Sequence, residues 1–128
     1  MKVLLDTHAF LWAVTDAPEL SRKATRIFED ERNELFLSLA SGWELAIKLS
    51  LGKLSMAQPL ATFLPEQMAV NGIMQLPIEL RHIGRVQDLP FHHRDPFDRL
   101  LIAQCLVEDL AILSADRVLD AYGVERVW

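Results

Sequence analysis

Asp6, Glu44, Asp98 and Asp116 stand where an apolar run ends or a helix is about to begin. Asp6 closes the run Val3-Leu4-Leu5, and Asp116 follows Leu113-Ser114 by two residues. Glu44 comes about one helical turn after the apolar run 35–38, and Asp98 lies just inside a segment opened by Asp95-Pro96. Carboxylates brought close together repel one another, so an empty cluster of them is costly. Oxygen ligands with few histidines suit Mg2+ or Mn2+ better than zinc. An ion of that kind makes hydroxide from water, polarises a phosphodiester and steadies a leaving oxygen. The pair His92-His93 lacks a usual zinc-ligand spacing and has no cysteine pair nearby.

Each acid also has a local explanation. Ser41-Gly42-Trp43-Glu44 reads as a capping box, in which Glu44 bonds back to the Ser41 backbone. Asp98 in a first helical turn gains about 0.3–1 kcal/mol from the macrodipole. Asp95 reads more plainly as an N-cap, and Asp116 can cap the short segment 117–121. Asp6 is the hardest to explain locally. An acid at the end of a buried strand is driven toward its neutral form unless a cation or donors hold it ionised.

The elements that would carry these acids follow from the apolar patterning. Residues 2–6, 35–38, 73–76 and 111–114 read as short strands, and 124–127 as a fifth. Helices are predicted over 8–14, from an N-cap at Ser21 to about 32, from Ser41 to Leu51, over 59–70, over 77–86 and from Asp95 to 108. Gly52 stops one helix, Asn71-Gly72 makes a turn, and 87–94 is a loop. Strands alternating with helices imply crossover units, a parallel sheet and an α/β class with helices on both faces. In such sheets the ligand crevice lies beyond the carboxyl ends of the strands, where these acids converge by topology.

A chain of 128 residues, with no repeat or linker composition, fits one domain over 1–128. It is 51% apolar and 24% charged, enough to bury a core. No apolar run reaches the roughly 20 residues of a membrane helix. Met1 to Asp6 meets an acid too soon for a signal peptide. The single cysteine, Cys105, excludes an internal disulfide and fits a reducing cytoplasm. A net charge of −5 argues at face value against a nucleic-acid partner. Between 82 and 99, however, His82, Arg85, His92, His93, Arg94 and Arg99 face only Asp88, Asp95 and Asp98. Net charge therefore decides little.

Several strings of residues together resemble one family. They are Leu4-Leu5-Asp6-Thr7-His8 with Leu11-Trp12, then Ser38, Ser41, Trp43-Glu44, Ala46 and Lys48, then Gly52-Lys53-Leu54. His93-Arg94-Asp95-Pro96-Phe97-Asp98-Arg99-Leu100 and Leu113-Ser114-Ala115-Asp116 follow in order, and the stretch from Asp95 to Leu100 is the most specific. In these residues the chain resembles the PIN-domain ribonucleases, and within them the VapC-like toxins of bacterial toxin–antitoxin pairs.

The resemblance implies a compact α/β/α PIN fold and a metal-dependent endoribonuclease using Mg2+ or Mn2+. It matches Asp6, Glu44, Asp98 and Asp116 to the family's acidic metal positions, with Asp6 and Asp98 as direct ligands. Glu44 and Asp116 would ligate through water or orient the attacking water. Asp95 competes with Asp98 for its place, and the helix register favours Asp98. Thr7 and Ser114 are candidates for orienting carboxylates. Lys48, Arg94, Arg99 and Arg117 are candidates for RNA phosphate contacts. Trp12 and Trp43 share helix faces with apolar residues, which predicts core packing rather than base stacking. The implied partners are an RNA substrate, a cognate antitoxin and a second copy in a homodimer. The rival readings are a catalytically silent PIN-fold interaction module and a nuclease acting on DNA. A phosphoryl-transfer receiver domain would need paired early acids and a late lysine that are missing here.

Overall fold

β1 (Lys2–Leu5) forms the centre of the molecule, because Val3, Leu4 and Leu5 are wholly buried and can only be satisfied by cover on both faces. A computed structural model describing residues 1–128 shows that cover. β1 pairs in parallel with β2 (Glu34–Ser38) on one side and with β4 (Ala111–Leu113) on the other. β3 (Ile73–Leu76) extends the sheet beyond β2, and β5 (Arg126–Val127) extends it beyond β4. The order is β3-β2-β1-β4-β5, all parallel. The chain thus winds outward from β1 through β2 and β3, then returns to the other flank of β1. That reversal opens a crevice at the carboxyl ends of β1 and β4.

Alternation along the strands divides the interior into two layers. Leu4 and Ile112 pack on one face with Leu101, Ile102 and Cys105 of α6 (Pro96–Glu108). Val3, Leu5 and Leu113 pack on the other with Ala9 and Phe10 of α1 (Thr7–Val14) and Ala24 of α2 (Arg22–Glu29). α3 (Leu39–Ser50) contributes Ala40 to the first layer and Leu45 to the second, so it bridges the layers. α4 (Leu60–Asn71) ends at Gly72, whose φ of 64° supplies the left-handed cap. α5 (Leu80–Gln87) lies against α6. The α/β/α arrangement expected from the patterning is therefore present. No helix is long and apolar enough to cross a membrane.

Among the helices, three boundaries differ by two residues or more from the sequence reading, and β5 is shorter, starting at Arg126 rather than 124. α2 ends at Glu29 rather than near 32, because Arg32 folds back on Asp30 at 2.8 Å. α5 begins at Leu80 rather than at Pro77, since Glu79 takes the N-cap and its backbone N–H donates to His82 Nδ1 at 3.0 Å. α3 begins at Leu39, straight after β2. The Ser38 hydroxyl accepts the Ala40 N–H at 3.0 Å, so the cap is Ser38 and not Ser41. That three-residue shift moves Glu44 from the mouth of the helix into its second turn.

Candidate metal centre

Asp6 turns β1 into α1. Its Oδ1 accepts the Ala9 N–H at 2.7 Å, capping the helix, while its own N–H donates to Leu113 O at 3.1 Å and continues the ladder to β4. Only 9% of Asp6 is exposed. Burial pushes its carboxyl above the usual range, and the Ser114 hydroxyl nearby and the Ala9 N–H pull it part of the way back. Ser114 is fully buried, and its oxygen also accepts the Asp116 N–H at 3.1 Å. It thus lies between the acid after β1 and the acid after β4.

Glu44 reaches the same crevice from α3 and is buried. Its Oε1 accepts the Thr7 hydroxyl at 2.7 Å, and its Oε2 pairs with Lys48, one turn along, at 3.0 Å. Thr7 also lies 3.0 Å from the Ser41 hydroxyl. Glu44 is thus held by a different element, α1, and not by its own helix start. Thr7 and Ser114 both touch carboxylates of the cluster.

α6 carries two acids with separate duties. Asp95 Oδ1 accepts the N–H groups of Phe97 at 2.8 Å and Asp98 at 3.4 Å, and Pro96 takes the first helical position. Asp95 is the N-cap. Asp98, one turn in, faces His93, whose Nε2 lies 3.0 Å from Asp98 Oδ2 and 2.9 Å from Asp116 Oδ2. His93 Nδ1 accepts the Asp95 N–H at 3.2 Å, which assigns the ring proton to Nε2 as a donor to both carboxylates. The other Asp116 oxygen, Oδ1, accepts the Val118 N–H at 3.0 Å at the start of a 3-10 turn, Arg117–Tyr122.

Burial, the largest cause, together with the neighbouring Asp95 charge raises Asp98 to about 7; His93 opposes the rise, and Asp6 and Glu44 add to it. Asp6 and Glu44 therefore act on Asp98 across the crevice, and His93 joins Asp98 to Asp116. No lysine or arginine pairs with Asp6, Asp98 or Asp116; Lys48 neutralises Glu44 alone. Oxygen donors from four segments, crowded and short of positive charge, fit a hard divalent cation.

Some residues fall elsewhere than the sequence suggested. Arg99 is buried, and its guanidinium donates to the carbonyls of Pro90 and Leu89 at 2.8 and 3.2 Å and to the Tyr122 hydroxyl at 3.2 Å. It pins the loop that carries His93 and is spent there, out of reach of a phosphate. Trp43 is not core: it is 62% exposed, edge-on to Phe97 with ring centres 5.2 Å apart. His93 holds two of the acids, a role that neither the His92-His93 spacing nor the local basic run brings out. Its place in the string from His93 to Asp98 was the available signal.

A parallel α/β/α sheet with carboxylates gathered where its winding reverses agrees with a match to the PIN domain over residues 3–125, and the chain belongs to that family. Over 66 residues it is 36% identical to Ribonuclease VapC16 of Mycobacterium tuberculosis, a stretch covering 52% of this chain and 47% of that protein. The match thus spans about half the length of that curated relative. Among solved structures, VapBC2 from Rickettsia felis bound to a DNA fragment from their promoter superposes with a TM-score of 0.74 at 11% identity, covering 99% of this chain and 98% of that one. FitAcB from Neisseria gonorrhoeae superposes with a TM-score of 0.62 at 16% identity, covering 98% and 96%. At such identities the likeness is one of fold.

Proposed function

We propose that the chain, as a single PIN domain over 1–128, is a metal-dependent endoribonuclease and the toxin of a toxin–antitoxin pair acting in the cytoplasm. One observation supports this reading: at the switch point Asp98 and Asp116 share the His93 N–H, the Asp6 and Glu44 charges act on Asp98, and of the four acids only Glu44 has a lysine partner. Asp6 and Asp98 would hold an Mg2+ or Mn2+ ion. Glu44 and Asp116 would bind it through water or orient the attacking water. When bound, such an ion activates water, polarises the phosphodiester and stabilises the leaving oxygen.

The chain's own residues do the positioning. Thr7 and Lys48 each hold one oxygen of Glu44 and keep that carboxylate aimed. The Ala9 N–H fixes Asp6, and His93 fixes Asp98 and Asp116 through one N–H. An antitoxin partner is supported by the likeness to VapBC2 and FitAcB. An apolar concavity of about 620 Å3 between α3 and α4, with Leu39, Leu60, Leu64 and Met68 in its wall, offers a protein partner or a second copy a place to bind.

The test is cleavage of mixed RNAs by purified protein with Mg2+ or Mn2+, with and without chelator. The expected result is metal-dependent cuts that vanish in Asp6→Asn, while that variant melts no lower than wild type when both are stripped of metal. Cleavage that survives Asp6→Asn, or that falls on DNA in preference to RNA, would overturn the reading.

A further inference from the structure

Trp43-Glu44 on α3 and Phe97-Asp98 on α6 are each an aromatic residue followed by an acid. Successive residues on a helix point about 100° apart. When the acid turns into the crevice, its aromatic neighbour is therefore turned to the rim. The two rims meet: Trp43 and Phe97 are edge to face, 5.2 Å between centres, with the indole largely in solvent. Next to them lies an open concavity of about 390 Å3 whose wall includes Glu44, Lys48, Lys53, Arg94, Asp95 and Phe97. Lys53 and Arg94 are exposed and belong to none of the ion pairs of the molecule. In a chain whose net charge is −5, two free cations and Glu44 line the concavity beside an exposed indole, whose partner ring, Phe97, forms part of the same wall.

We propose that Trp43, braced by Phe97, is the platform on which one unstacked base of a single-stranded RNA rests, with Lys53 and Arg94 meeting the phosphates beside it. The inference rests on the proposed ribonuclease reading and adds what that reading lacks: a feature that distinguishes an unpaired nucleotide from a base pair. Stacking on an aromatic face suits any base but requires that the base be out of a duplex. The cations supply the sequence-independent hold on the backbone. Together they would seat a splayed nucleotide against the carboxylates while leaving a paired strand too far from them. Ile47 and Leu51 continue the stripe below Trp43, which is the feature a protein partner would use instead.

The experiment measures binding of a short single-stranded RNA in the Asp6→Asn background, which separates affinity from cleavage, by tryptophan fluorescence and by polarisation of a labelled strand. Trp43→Ala should weaken binding about 5- to 100-fold, Trp43→Phe should restore most of it, and both should melt with the parent because the indole is exposed. An abasic nucleotide scanned along the strand should weaken binding at one position in the parent and at none in Trp43→Ala. A duplex of the same sequence should bind less tightly and be indifferent to Trp43. Equal RNA affinity of Trp43→Ala and parent overturns the platform. So does a Trp43→Ala variant that keeps RNA affinity but loses self-association or a protein partner. Failure of wild type to cut any RNA would overturn the ribonuclease reading while this binding result still stood or fell alone.

Discussion

Two histidines with nearly the same neighbours mark the two ends of α6. At the N-terminal end His93 lies between Asp98 and Asp116; at the C-terminal end His82 lies 2.8 Å from Glu108 and 3.9 Å from Glu79. In each, Nδ1 accepts a backbone N–H, from Asp95 or from Glu79, so Nε2 carries the proton. In each, three potential ligand atoms lie within 4.8 Å of one another. Geometry alone would name both as metal sites. The difference lies in charge. Arg81 reaches both Glu79, at 3.1 Å, and Glu108, so the two carboxylates of the C-terminal cluster share an arginine counter-charge and form a latch between α5 and α6. No arginine or lysine forms an ion pair with Asp98 or Asp116, since Arg126, whose charge is felt at Asp116, is paired with Asp120; the Asp6 and Glu44 charges act on Asp98, which rises to about 7. On the proposed reading, the cluster without an arginine or lysine partner is the one that would receive a cation.

The comparison breaks most visibly under paired substitutions. Asp98→Asn should lower metal-dependent RNA cleavage by at least about 100-fold, more than the loss typical of groups that only support a ligand. Glu108→Ala should leave cleavage unchanged. It would strip the buried His82 N–H of its acceptor and lower unfolding free energy by about 1–3 kcal/mol, read by urea denaturation. If the two substitutions exchanged these effects, the assignment of latch and centre would be reversed.

A smaller effect sharpens the contrast. In chelated protein the folded state keeps the Asp98 proton up to about 7, whereas an unfolded chain releases it near 3.8. The folded state therefore binds more protons between those values, and its stability is fully present below them and declines as pH rises through the window. The expected decline is about 1–2 kcal/mol, after allowing for the solvent that reaches the side chain. Asp6, also raised by burial, adds in the same direction. Denaturation at pH 4.5 and pH 8 should show this slope in wild type and Glu108→Ala, and a reduced one in Asp98→Asn.

What could be read from the residues follows from how local each cause is. Asp6 and Asp116 were visible because they end apolar runs, and Asp95-Pro96 because cap and proline are adjacent. The parallel order was visible in the strand–helix alternation, whereas the reversal between β1 and β4 came only with the pairing. Ser41-x-x-Glu44 satisfied a local motif and misled, since Ser38 caps first and Thr7, 37 residues from Glu44, takes its oxygen. Arg99 and His93 were misjudged for the same reason. Their partners, Tyr122 and Asp116, lie 23 residues away in each case and leave no trace in the spacing. Trp43 shares a helical stripe with apolar residues, and only the packing of α3 against α6 shows that this stripe faces outward.

Anomalous diffraction from crystals soaked in Mn2+ tests the central claim most directly. The account predicts a peak bound by Asp6 and Asp98 in the crevice, and none at Glu79, His82 and Glu108. A peak at the arginine-paired latch, or a crevice that stays empty at saturating Mn2+, would contradict it.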